Sequence, residues 1–129
     1  MKKIFLASIL CLLYLTFIAN ADDEMINGIY SNMSYNQEAG DLIGVEIFIF
    51  PSKTGHFAFV QIAEGGFPYA ALIPVKLDGD KIEFLLPNDG VYAGGKFIGI
   101  VKNGYIDGKF EGTMHSEKLK LKKGKSYWQ

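Results

Sequence analysis

From position 25 onward, short runs rich in β-branched and aromatic residues alternate with turn signals at a spacing of about ten residues. Glycines interrupt every few positions, and no window keeps apolar residues at i, i+3, i+4 and i+7, so helical periodicity is missing. The sharpest punctuation is Asn103-Gly104, with Asp78-Gly79-Asp80 beside it in strength. Both dipeptide types supply the positive φ angles that a two-residue hairpin turn requires. The longest unit covers 40–66 and reads as two strands around a turn from Pro51 to Gly55. Ile43, Val45, Ile47 and Ile49 share one face of its first strand. In its second strand Phe57 and Phe59 oppose Ala58, Val60 and Ile62, which predicts a strand buried on both sides or covered by another element.

Eight such runs occur, at 26–33, 42–50, 56–63, 69–77, 81–86, 96–101, 105–111 and 117–123. Links this short leave no room for a Greek-key crossing. The pattern predicts an all-β fold, an antiparallel up-and-down meander closing as an approximately eight-stranded barrel, since closure removes the exposed edges of an open sheet. Pro74 lacks an N–H and marks a bulge or an edge in the fourth run. In a meander the links alternate between ends. Links 51–55, 78–80 and 102–104 share one end and are tight. Links 34–40, 64–68, 87–95 and 112–116 share the other end and are longer. Barrel sites form at the mouth, which makes Tyr35, Glu38, Glu64, Phe67, Asp89, Tyr92 and His115 the candidate ligand- or partner-binding residues.

The first 21 residues have the order of a secretory signal peptide. Lys2-Lys3 precede an apolar run at 4–18, and Ala19-Asn20-Ala21 forms an A-x-A cleavage site. That run is shorter than the ~20 residues a spanning helix needs. The expectation is cleavage after Ala21, with residues 22–129 forming one exported barrel domain, periplasmic or extracellular, without a stable membrane span. Cys11 leaves with the signal, so the remaining chain relies on its core and not on a disulfide. It would carry eleven lysines, no arginine and fourteen acids, a net charge of −3. Mild acidity of this kind argues against nucleic-acid binding.

Gly28-x-Tyr30 near the start of such a meander resembles the Gly-x-Trp opening of lipocalins and the Gly-Thr-Trp/Tyr opening of avidins. The later pattern is similar to small exported lipocalin-like domains of unknown function. It comprises Gly40-Asp41-Leu42-x-Gly44, Leu77-Asp78-Gly79-Asp80-Lys81-Ile82-x-Phe84, Phe97-x-Gly99, Asp107-Gly108-Lys109-Phe110-x-Gly112 and Leu119-x-Leu121-Lys122. The resemblance implies a basic residue, Lys122 or Lys123, packed over the opening aromatic. It bears on fold more than on activity.

Catalytic signatures are sparse. His56 and His115 fall at opposite ends of the expected barrel, which disfavours a shared metal site. No Gly-x-Ser-x-Gly elbow is present. Two acids at Asp78 and Asp80 fall short of a calcium shell and fit turn chemistry. The 90–95 stretch lacks the Gly-Lys-Ser/Thr ending of a phosphate loop. Lys118, Lys120 and Lys122 alternate with Leu119 and Leu121 as a solvated strand face does. Tyr127-Trp128 reads either as a plug that fixes the tail or as a partner anchor. The expectation is a non-enzymatic binding module without a cofactor, taking a small apolar ligand or a protein partner at its long-link end. The alternative is an inhibitor of a secreted or wall-degrading hydrolase such as lysozyme, with Glu38, Glu64 and Asp89 facing a basic enzyme. A hydrolase comes last.

Overall fold

The computed structural model describes residues 25–89, 92–113 and 116–129. Its strands are β1 (Gly28–Ser31), β2 (Ser34–Asn36), β3 (Asp41–Ser52), β4 (Gly55–Glu64), β5 (Tyr69–Asp78), β6 (Lys81–Leu85), β7 (Lys96–Lys102), β8 (Tyr105–Glu111) and β9 (Lys118–Gly124). Each strand from β3 to β9 pairs antiparallel with the next, and β1 pairs with both β9 and β3. The ladder therefore returns on itself, and β1 with β3 to β9 closes an eight-stranded barrel.

The tight turns follow from their residues. Ser52 pairs with Gly55, Asp78 with Lys81 and Lys102 with Tyr105, which leaves two residues in each turn. Asn103 and Gly104 both take positive φ, 53° and 76°, the geometry that matches the twist of the flanking strands. Val101 N–H donates to the Asp80 carbonyl at 2.8 Å, which ties two of these turns together at one end.

Alternation sets the core. Tyr30, Ile47, Ile49, Ala58, Val60, Ile82, Phe97, Ile106 and Leu121 are fully buried and face inward. Phe84, Phe97 and Phe110 meet in the interior, with ring centroids 4.9 Å apart for Phe84–Phe97 and 5.0 Å for Phe97–Phe110. The Phe97 ring lies against Gly99 and Gly108, which are paired across β7 and β8. A Cβ on Gly108 would stand 2.6 Å from that ring. Lys123 reaches over Tyr30, its Nζ 5.6 Å from the ring centroid, and donates to the Met25 carbonyl at 2.8 Å. The Tyr30 hydroxyl donates to the Ile26 carbonyl at 2.8 Å.

Two sequence expectations need correction. The segment 34–40 is not wholly a link: Ser34–Asn36 forms β2 and pairs back onto the start of β3, adding a ninth strand outside the closed ring. Asn32 causes the break between β1 and β2, because its side-chain oxygen accepts the Val45 N–H at 2.7 Å. Gly44 sits opposite with φ 115°, where a Cβ would meet the Asn32 carbonyl at 2.7 Å. Leu42 packs with Met33 and Ala63 in a small cluster apart from the interior one, and Ile43, on the face it shares with Val45, Ile47 and Ile49, is exposed at the rim. Finally, β4 is covered on only part of its outer face, at Ala63 and Gln61. Phe48, Phe59 and Leu72 form one exterior row in register, with Phe50, Phe57 and Pro74 in the next, and Phe48, Phe59 and Leu72 remain exposed.

One exterior row is covered, by the end of the chain. Glu46 faces outward on β3 yet is only 5% exposed. Its carboxylate accepts the Ser126 hydroxyl at 2.6 Å and the Tyr127 N–H at 2.8 Å. Trp128 Nε1 donates to Gln61 Oε1 at 2.7 Å, on the strand beside Glu46. The Tyr127 and Trp128 rings meet edge to face. The aromatic pair thus fixes the tail to the barrel wall and does not plug the mouth.

Candidate functional site

The long-link end gathers residues from three links. Glu64, Tyr92, Thr113 and Glu117 line a pocket of about 190 Å³ whose floor includes Val45, Ile62 and Phe110. Tyr92 is buried here, and its hydroxyl donates to the Glu64 carboxylate. Burial pushes the Tyr92 hydroxyl pKa well up, and bonding to Glu64 pushes it further. Tyr69, at the start of β5, packs against Tyr92 with ring centroids 5.3 Å apart. Its own pKa is raised by burial first and by the charge of Asp89 second. Burial also raises that of Tyr30.

These shifts fix an alkaline limit. A phenol whose folded pKa exceeds its unfolded value stabilises the fold fully below the unfolded value, which is about 10. That stability is lost as pH rises from there through the folded pKa, because the folded state then holds protons the unfolded chain releases. Tyrosinate absorbance should therefore show Tyr30, Tyr69 and Tyr92 titrating above the ordinary phenol value, with denaturant stability falling only above about pH 10. A single tyrosine titration with flat stability would contradict the burial of the pair.

The larger concavity lies in the barrel wall. Ladder pairing between β5 and β6 runs only from Asp78–Lys81 to Lys76–Glu83. Beyond it stands Pro74, which has no N–H to donate. The edge expected at this proline is present as a seam. It opens a cleft of about 570 Å³ between Ile73, Pro74, Val75 and Lys76 on one side and Glu83, Phe84, Leu85 and Lys96 on the other. The floor is apolar, formed by Ile73 and Phe84. Glu83 is held by Lys96 at 2.6 Å and Lys81 at 3.3 Å. Those two lysines hold the Glu83 carboxyl below the usual range, and Glu83 in turn raises Lys96. Lys76, exposed at the rim, forms no ion pair among the described residues.

Comparison with protein-family models, with curated proteins and with solved structures gave no match to this chain. The geometry alone therefore carries the functional argument.

Of the residues expected at the mouth, the structure brings Glu64 and Tyr92 into direct contact and places Asp89 within electrostatic reach of Tyr69. Phe67 is fully exposed at the tip of its link. Tyr35 and Glu38 are exposed on the β2–β3 hairpin, where the Asn36 side chain accepts the Glu38 N–H at 3.0 Å. His115 lies outside the described residues, as do the Ala19 and Ala21 cleavage positions. The described residues contain no group of three or more His, Cys, Asp or Glu side chains placed to hold a metal ion, and no helix among them is long and apolar enough to cross a membrane. Sequence reasoning missed the wall cleft and its lysines. Pro74 was the one signal that pointed there.

Proposed function

We propose that this protein is an exported, non-enzymatic binding module that recognises a partner on its surface, not a carrier that encloses a ligand. The observation behind this reading is the filled interior: Phe84, Phe97 and Phe110 occupy the space where a barrel of this size would hold a small molecule. Recognition then falls to the concave surfaces, and the wall cleft is the largest of those described. Its volume lies within the range of about 300–1,000 Å³ typical of binding sites, whereas the mouth pocket lies below it. Lys123 stands over Tyr30, the arrangement that the lipocalin-like resemblance implies.

Native mass spectrometry of the purified protein, followed by solvent extraction, tests the reading. The expected result is the mass of the polypeptide alone. A stoichiometric apolar molecule retained through purification would overturn it in favour of a carrier.

A further inference from the structure

Resting on that reading, we infer that the cleft between β5 and β6 is a strand-addition site. It takes an extended segment of a partner protein, apolar on both faces and carrying an acidic residue, as an extra strand on the free edge of β5.

The backbone supplies the first argument. Asp78 and Lys81 flank a two-residue turn and therefore exchange hydrogen bonds. Counting back along β5 by twos, Lys76, Pro74, Leu72 and Ala70 aim their backbone groups toward β6, and the intervening residues aim theirs at β4. On β6 the same count aims Lys81, Glu83 and Leu85 toward β5. The Leu86 N–H donates to the Gly95 carbonyl at 2.8 Å, as the alternate set on the β7 side should. Past Lys76 the two strands separate. Ala70 and Leu72 keep an N–H and a carbonyl without a ladder partner among the described residues, Pro74 keeps a carbonyl, and Leu85 keeps both on the facing strand. A row of this kind is a template for another strand.

Side chains define the occupant. The inward residues beside the gap are Ile73, Val75 and Phe84, and the outward ones are Leu72, Pro74 and Leu85. Leu72 is 61% exposed and Leu85 65% exposed. An added strand would thus meet apolar surface on both of its faces, and its outward face would extend the rows that start at Phe48 and Phe50. The cleft is lined by two lysines, Lys76 and Lys96, against the single Glu83. That imbalance favours a carboxylate on the incoming segment and disfavours a basic one. Proline and lysine are common guards of a free edge. Here they guard only its lower part, and the upper part at Ala70 and Leu72 carries neither.

The test uses a panel of synthetic extended peptides in which valine and threonine alternate around a central glutamate, glutamine or lysine. Amide exchange and resonance shifts of the purified protein are followed on addition of each. The expected result is protection of the Ala70, Leu72 and Leu85 amides, with the glutamate peptide bound about tenfold more tightly than the lysine peptide. Leu72→Pro removes one N–H aimed into the seam and leaves the β4 ladder intact, so it should abolish binding while Leu72→Val retains it. Lys76→Glu, a surface change that does not depend on Leu72→Pro folding, should reverse the peptide preference. The inference is overturned if no peptide protects these amides, or if folded Leu72→Pro binds as the parent does. It is equally overturned if the amides are already protected in a dimer of this chain, or if dodecanoate occupies the cleft without protecting them. None of these outcomes requires a retained molecule in native mass spectra, so the two readings fail separately.

Discussion

Replacement of Phe97 by alanine is expected to cost about 3–5 kcal/mol, the range for removing a fully buried phenylalanine from a packed interior. The stability of a single domain is about 5–15 kcal/mol, so this one change threatens a large part of it. Phe97 has no exposed surface and touches two other rings, at 4.9 and 5.0 Å. It also rests on Gly99 and Gly108, so deletion leaves a cavity walled by backbone that cannot collapse easily. Denaturant unfolding should show a lower midpoint at an unchanged slope. Phe67→Ala, at a fully exposed position, should stay within about 0.5 kcal/mol. Gly108→Val supplies a second check. By itself it overpacks the site and should destabilise by about 1–3 kcal/mol. Combined with Phe97→Ala, the overlap with the ring is relieved while that with the Ile98 carbonyl stays, and the double variant should be more stable than the sum of the two losses. Strict additivity would show that the ring and the glycine pair do not share one packing site.

The second large effect is expected at Glu46. Its carboxylate is the shared acceptor for Ser126 Oγ and the Tyr127 N–H, both on the tail. Glu46→Ala strips away both bonds, a loss of about 1–3 kcal/mol if the donors stayed buried. The tail can instead lift into water and satisfy those donors there. The expected readout is therefore release of the tail more than collapse of the barrel. Trp128 is the sole tryptophan and reports this directly. Its fluorescence anisotropy should fall, and trypsin should cut after Lys125 much faster than in the parent protein. Glu46→Gln, which keeps one acceptor oxygen, should fall between the two. Unchanged anisotropy in Glu46→Ala would mean that the Trp128–Gln61 bond and the aromatic contact hold the tail unaided.

These two sites also separate what was legible in the sequence from what was not. Phe97 lies in a regular strand, and its burial follows from alternation once the meander is recognised. Glu46 lies in an equally regular strand, on the face that alternation assigns to solvent. Nothing local to it announces burial. Its cover comes from residues 126–128, some eighty positions later, which no periodicity connects to it. The mouth was legible in outline, because link lengths in a meander sort the two ends, and Glu64 and Tyr92 do meet there. That the interior is filled was not legible, since it depends on three phenylalanines from three strands meeting at one level.

By itself the sequence determined the strand pattern, the tight turns and the identity of most inward residues, because each depends on neighbours a few positions away. Asn103-Gly104 makes a turn wherever it stands between two strands, and Ile106 and Phe110 share a face in any β-strand. Only the tertiary structure decided where the wall opens. Pro74 removes one hydrogen-bond donor, but whether that produces a bulge, an outer edge or a seam depends on where β6 turns away. Closure of β1 onto both β3 and β9 joins the two ends of the ring and leaves the free length of β5 facing a cleft lined by Phe84, Leu85 and Lys96. A missing donor is a local fact. The cleft arises from the closing of the ring around it.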